Sequence, residues 1–455
     1  MQLNEFKNEQ QSFINEMCKK LYKNNEIDSS YYQKYDVKRG LRNSNGTGVL
    51  VGLTQIGDVQ GYEVENGVKI PVDGKLLYRG IDVEDIVKSC LKEERYGYEE
   101  TSYLLLFGEL PNKEQLKMYN QILGENRDVP NNFTKDMILT APSKNIMNKL
   151  ARSVLALYSY DPNPDDISIE NVLIQSINLI ARFPALISYG YQAKIRYYDN
   201  ASLHLHYPSS ELSTAENILH LIRPNSEYTK LEAVLLDLAL ILHAEHGGGN
   251  NSAFTTHVVS SSGTDTYSAI ASAVCSLKGP KHGGANTVVL EMIKDLKENV
   301  DDYTDQSKVE EYLVKVIKGE AFDRTGLVYG MGHAVYTKSD PRAVMLKDWA
   351  KKLAEEKGMQ EEFMLYDFIE KRSPDLLYEI KGIDKPICAN VDLYSGFVYS
   401  ALNIPMELCT PIFAASRISG WCAHRIEELV AGGRIMRPAY KHVKEHIPYI
   451  PIENR

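Results

Sequence analysis

Lys281-His-Gly-Gly-Ala-Asn286 is the stretch on which the reading of this chain turns. A histidine precedes two glycines, and a helical pattern starts near Asn286. The imidazole of His282 then stands at the positive end of that helix's dipole, which disfavours imidazolium. A neutral histidine donates a hydrogen bond to a carbonyl and supplies no positive charge. Paired glycines also let a ligand approach the backbone. Taken alone, a capping histidine is the simpler explanation of so short a motif.

The segments downstream change that balance. Tyr329-Gly-Met-Gly-His333 again sets glycines in a loop directly before a histidine. Asp340-Pro341-Arg342 opens a helix, with Asp340 as N-cap and Pro341 at the first position. Arg342 is then placed unfavourably for the dipole, so a cation held there needs an anionic partner, from protein or ligand. Asn390-Val-Asp-Leu-Tyr-Ser-Gly396 sets Asp392 ahead of an apolar helix, either as an N-cap or as a general base. Arg417 lies between Ala414, Ala415 and Ile418, where its charge needs compensation. Arg437-Pro438 follows Gly432-Gly433. His243-Ala-Glu-His246 is not a zinc-protease motif, because its histidines are three apart and its glutamate is one position late. His204, His206, His220, His243, His257 and His424 read as structural or surface groups.

In this order the motifs resemble those of the citrate synthase family, over most of the chain and most closely from Leu240 to Pro438. The resemblance implies an enzyme that condenses acetyl-CoA with oxaloacetate and hydrolyses the citryl thioester. It implies Asp392 as base, His282 as support for the enol oxygen and His333 as the group that polarises the ketone. His246, Arg342 and Arg417 would hold oxaloacetate. Arg437 would reach into a partner subunit's site, making a homodimer with shared active sites. Val328, Gly330 and Gly332 belong to a loop like the one that receives the coenzyme A adenine. Thr337-Lys338 departs from members that carry a phosphate-binding arginine there. No metal and no permanently bound cofactor is implied.

Two rivals follow. A 2-methylcitrate synthase would use propionyl-CoA with the same residues, and one methylene discriminates by only ~1–3 kcal/mol. A non-catalytic oxaloacetate- or CoA-binding homologue would keep the fold, yet no role is vacant here. Rates with each thioester separate all three.

Composition agrees with a cytoplasmic enzyme of small molecules. The chain has 455 residues, 43% hydrophobic and 25% charged, which suits two or three domains, or one large one with a lobe, and a large core. A net charge of −10 argues against nucleic acid as partner, though not against anions in a local cleft. Cys18, Cys90, Cys275, Cys388, Cys409 and Cys422 show no metal or disulfide spacing, and reduced, buried thiols are expected. No apolar run suggests a membrane span, and residues 1–23 lack signal-peptide character.

Periodicity predicts an almost all-α protein. Helical patterns cover 83–107, 112–124, 143–158, 167–183, 229–243, 265–278, 286–299, 307–318, 341–357, 360–380 and 405–430. Capping boxes start at Ser213, Thr229 and Ser307. Pro411 marks a first turn or a kink. The small residues of 265–278 suit either tight internal packing or, by the resemblance, a subunit interface. Residues 1–35 suit a partly ordered helix. Residues 47–80 predict two or three short strands, with turns at Asn66-Gly67 and Asp73-Gly74. The resemblance divides the chain into a large helical domain, 1–284 plus 400–455, and a small one, 285–399. The site lies between them, with His246 and His282 on the large side.

Overall fold

A computed structural model of the protein describes residues 8–65 and 68–455. The chain forms two compact units, residues 1–53 and 54–455. The first contains helix α1 (Asn8–Asn25), short helix α2 (Ser30–Lys34) and a 3-10 turn at Arg39–Leu41.

The second unit opens with strands β1 (Gly57–Glu65), β2 (Val68–Tyr78) and β3 (Ile81–Asp82), paired antiparallel in that order. The expected Asn66-Gly67 turn lies outside the described residues. Asp73-Gly74 is not a turn, contrary to expectation, but lies inside β2. Its glycine serves close approach instead, since a Cβ at residue 74 would strike the Ser339 carbonyl oxygen. The turn after β2 is Arg79-Gly80, with φ of 50° and 84°. Positive φ at both central residues matches the twist of paired strands.

The expected helix over 83–107 is two, α3 (Val83–Lys92) and α4 (Tyr98–Phe107). The break is made by tertiary contact: the buried Asp237 carboxylate accepts from the Gly97 and Tyr98 N–H groups at 2.7 and 3.2 Å. There it serves as a cap supplied from a distant segment. Then follow α5 (Lys113–Glu125), α6 (Ile146–Leu157) and α7 (Ile169–Tyr198). The pattern expected to stop at 183 runs on through Pro184. A proline costs an interior helix about 3 kcal/mol, and burial on both sides of Pro184 offsets it. Helix α7 is long and apolar enough to cross a membrane, but most of it is buried inside the fold.

Helices α8 (Thr214–Ile222) and α9 (Lys230–His243) start with the Ser213 and Thr229 capping boxes, both formed. Helix α10 (Asn251–Ser260) was not foreseen, because its Ser, Thr and Asn residues have weak helix preference. Helix α11 (Thr266–Leu277) buries Ala269, Ala271 and Ala273 and packs against α6, α10 and α17 (Cys409–Ala431). Between α11 and α17 lie α12 (Ala285–Asn299), α13 (Gln306–Lys318), α14 (Pro341–Lys357), α15 (Gln360–Lys381) and α16 (Val391–Ala401). The Ser307 box does not form. Asp305 caps α13 instead, accepting from the Ser307 N–H at 2.9 Å, because the helix starts one residue before Ser307. Pro411 falls in the first turn of α17, as expected. That helix is buried from Cys409 to Arg425 and forms the centre of the core with Trp421. The six cysteines are unpaired, but Cys18 and Cys275 are exposed, not buried.

Candidate active site

The β-hairpin braces two segments that carry expected site residues. On one side the Tyr78 hydroxyl donates to the Ile241 carbonyl at 2.9 Å and lies 3.2 Å from the Glu245 carbonyl, just before His246. On the other side Asp73 accepts from Lys338 Nζ at 2.7 Å and from the Ser339 hydroxyl at 3.0 Å. The Tyr336 hydroxyl reaches the Lys75 carbonyl at 3.3 Å. Gly61, at a register shift in β1, abuts the Val335 carbonyl so closely that a Cβ there would clash. The strands therefore hold the loop after His333 against the end of α9. Lys338, in the segment that departs from members with a phosphate-binding arginine, is paired with Asp73.

His246, His282, His333, Arg342, Asp392 and Arg417 converge. The His246 and His333 rings are 5.1 Å apart, edge to face, and Tyr336 stacks on His333 at 4.7 Å. Burial holds the His246 imidazole well below its ordinary value, and Arg342, His333, Arg417 and His282 add to the effect. His282 is pushed down to about 4 by burial and then by Arg417. Both rings are therefore neutral at pH 7. His333 Nδ1 accepts from the Val335 and Tyr336 N–H groups, each at 3.0 Å. A ring nitrogen that accepts carries no proton, so the proton of the neutral ring stands on Nε2.

The cations differ from each other. Arg342 is buried and grips Asp340 with two hydrogen bonds, Nε to Oδ1 at 3.0 Å and Nη2 to Oδ2 at 2.8 Å. Burial opposes its charge, but Asp340 outweighs burial and holds it above its ordinary value. Asp340 also caps α14 and accepts from the Val391 N–H at 3.2 Å, tying α14 to the start of α16. Arg417 is fully buried, and its Nε donates to the His243 carbonyl at 2.6 Å. Its Nη1 and Nη2 have no hydrogen-bond partner among the described residues, and neither does His246 Nε2. Buried guanidinium nitrogens carry a large desolvation cost unless an anion meets them.

Asp392 is not the N-cap of its helix. Asn390 is, accepting from the Asp392 N–H at 3.0 Å. The Asp392 carboxyl is pushed up to about 6 by burial; Arg342 and Arg417 pull it down and Asp340 adds to the rise. Its position is set by a zipper: Gly332 N–H donates to the Cys388 carbonyl at 2.7 Å and Asn390 N–H to the Gly330 carbonyl at 2.9 Å. The glycines of this loop answer to backbone needs. Gly330 and Gly332 have φ of 86° and 87°, and a Cβ at 330 would meet Leu393. Val328 is buried in the core. Arg437 stands apart from the cluster, exposed on the segment after α17.

Ser252 was missed in the sequence. Its hydroxyl is buried 3.0 Å from His282 Nε2, 2.9 Å from Asn250 Oδ1 and 3.0 Å from Trp421 Nε1, which donates to it. Tyr336, Asp340 and Phe413 complete the surroundings, and Phe413 lies under both Arg417 and His243. Apart from Asp340, which the cap pattern marks, no local pattern announces these residues; only the fold brings them to the site.

A raised carboxyl group, neutral histidines and buried arginines stand together, an arrangement that suits small anionic molecules. Comparison with known proteins agrees. Residues 44–439 match the profile of the citrate synthase C-terminal domain. The chain is 32% identical to the citrate synthase of Haloferax volcanii, over 92% of this chain and 99% of that one. It is 31% identical to the 2-methylcitrate synthase of Shewanella oneidensis, over 84% and 92%. Its fold resembles that of citrate synthase from Thermoplasma acidophilum, solved in ternary complex with carboxymethyl coenzyme A and oxaloacetate. That likeness has a TM-score of 0.74 and 26% identity, covering 92% of this chain and 99% of the other. The chain belongs to the citrate synthase family and is an acyltransferase.

Proposed function

We propose that the protein condenses acetyl-CoA with oxaloacetate to give citrate and free coenzyme A. The observation that carries this reading is the Arg417 guanidinium, buried with both Nη atoms unpartnered among the described residues, beside Arg342 and His246. A dicarboxylic keto acid supplies the anions such a site lacks. In this reading Asp392 removes a proton from the thioester methyl group. A carboxyl group raised to about 6 is a stronger base than an ordinary aspartate and is still ionised at pH 7. His282 donates from Nδ1 to the forming enol oxygen. That tautomer requires the single Ser252 proton to turn from Asn250 Oδ1, to which the hydroxyl donates at 2.9 Å, to His282 Nε2, with the Trp421 N–H filling a serine lone pair. The enol carbon attacks the keto carbon of oxaloacetate, and the Nε2–H of His333 meets the oxygen that becomes the alcohol. Water then cleaves the citryl thioester.

The remaining roles belong to the same reading. Val328, Gly330 and Gly332 receive the coenzyme A adenine. Residues 285–399 act as a small domain against 54–284 and 400–455, and closure excludes water from the enolate. Two chains form a dimer in which Arg437 serves the neighbouring site. The matching 2-methylcitrate synthase makes propionyl-CoA the competing substrate. Steady-state rates with oxaloacetate and each thioester test the assignment. A higher kcat/KM for propionyl-CoA would reassign the product, and no turnover with either would remove the activity.

A further inference from the structure

His257 and His424 face each other where α10 packs on α17, and none of the proposed chemistry uses them. His257 Nδ1 lies 2.8 Å from Glu428 Oε2, and His424 Nε2 lies 2.9 Å from Glu245 Oε1. A carboxylate oxygen accepts, so the outer nitrogen of each ring donates in these contacts. The inner nitrogens, His257 Nε2 and His424 Nδ1, then face each other at 3.0 Å. Two ring nitrogens facing at that distance share a cation, either a proton or a metal ion.

A third donor atom favours the metal. Glu427 Oε2 is 3.9 Å from His424 Nδ1, beyond hydrogen-bond distance. It is buried and has no hydrogen-bond partner among the described residues. Its sister oxygen is occupied, accepting from the Gln55 N–H at 2.7 Å. The three donor atoms lie within 4.8 Å of one another. His424 and Glu427 are one helical turn apart on α17, so they share a face.

We propose that His257 Nε2, His424 Nδ1 and Glu427 Oε2 bind one divalent transition-metal ion of the zinc class, stapling α10 to α17. Two imidazoles and a carboxylate suit zinc. In a tetrahedral zinc site the ligand atoms stand about 3.3 Å apart, from bond lengths of about 2.0–2.1 Å. The spacings of 3.0 and 3.9 Å bracket that edge. Each histidine also has a carboxylate on its far nitrogen, the arrangement that orients metal-bound imidazoles and raises their basicity. Three carboxylates, Glu245, Glu427 and Glu428, around the two rings supply the negative charge a dication needs. The absence of metal from the proposed reaction is unaffected, because none of the three ligands takes part in it.

The test uses the full chain, stripped with a chelator and titrated with zinc alone by calorimetry, with metal content measured after dialysis. We expect one zinc per chain and a rise in melting temperature on loading. Glu428→Gln removes only an outer carboxylate and should weaken binding ~10–100-fold. Glu427→Gln should abolish stoichiometric uptake while keeping an oxygen for the Gln55 N–H. His257→Gln should do the same, and if that variant does not fold, the part-exposed position of Glu427 keeps the test in hand. Cobalt(II) in place of zinc should give the visible absorption of a tetrahedral site. No zinc uptake by the wild-type chain, or equal uptake by the Glu427→Gln variant, overturns the site and leaves a shared proton between the rings.

Discussion

Asn390 Oδ1 accepts the backbone N–H of Asp392 at 3.0 Å, so the asparagine caps α16 and the aspartate does not. The Asp392 side chain is thereby released from a structural task. Replacing it with Asn should leave the helix start intact, and circular dichroism should show a folded chain. Loss of a general base typically removes ~10²–10⁴-fold in rate, and kcat for condensation should fall by that order. Turnover near that of the wild type would take Asp392 out of the mechanism.

The same carboxyl makes a pH prediction. Its folded value of about 6 lies above the ordinary carboxyl value of 3.8. The folded state therefore binds the proton more tightly, and the ionised carboxylate destabilises the fold. That cost is fully present above pH 6 and fades as pH falls through 6 toward 3.8. Asp392→Asn should accordingly melt higher than wild type at pH 8, with the gap narrowing at pH 5. The wild-type rate should rise with pH through about 6, as the base ionises. A melting gap that does not change with pH would show that Asp392 is not perturbed by burial.

Arg342 and Arg417 should respond differently to replacement by Leu. Arg342→Leu leaves buried Asp340 without its partner, and breaking a buried ion pair costs ~3–5 kcal/mol. Both stability and oxaloacetate affinity should fall. Arg417 has no carboxylate hydrogen-bonded to it among the described residues, so Arg417→Leu should chiefly weaken oxaloacetate, by ~2–5 kcal/mol. Calorimetric titration with oxaloacetate, beside thermal melts, separates the two. Unchanged affinity in Arg417→Leu would break the assignment of its Nη atoms to the substrate.

Gly74→Ala should loosen the hairpin from the loop that follows His333. The new Cβ would press on the Ser339 carbonyl oxygen and the Tyr336 ring. Overpacking of this kind costs ~1–3 kcal/mol. Because Tyr336 N–H also holds His333 Nδ1, kcat should fall with stability. A variant as stable and active as wild type would show that the hairpin does not position the loop.

Arg437 is exposed and apart from the other candidates, as a residue working on a neighbouring chain must be. Inactive Asp392→Asn chains mixed with inactive Arg437→Ala chains should regain activity on subunit exchange. One site of each mixed dimer then carries both defects and the other carries neither. A dead mixture with heterodimers confirmed by mass spectrometry, or a monomer by sedimentation, would refute the shared site.

Local sequence determined much of this protein by itself. Helix existence follows from apolar spacing, and the bounds of α14 come straight from Asp340-Pro341 at one end and Gly358 at the other. Six expected site residues, from His246 to Arg417, meet in the fold: five sit at a helix end or in a short loop that the motifs mark, and Arg417 lies inside α17. What the tertiary structure decided are the pairings across long sequence separations. Asp237 divides one helical pattern at Gly97, 140 residues away. Asp73-Gly74 carries a turn signal yet stays extended, because its backbone must pass against Ser339, 265 residues on. Asn390 displaces Asp392 from the cap, and Asp340 supplies a protein carboxylate to Arg342. Local propensities amount to a kilocalorie or less per residue, while a buried charge or backbone group left unpaired costs several times that. Where the two conflict, the distant partner prevails, and that partner is visible only once the chain is folded.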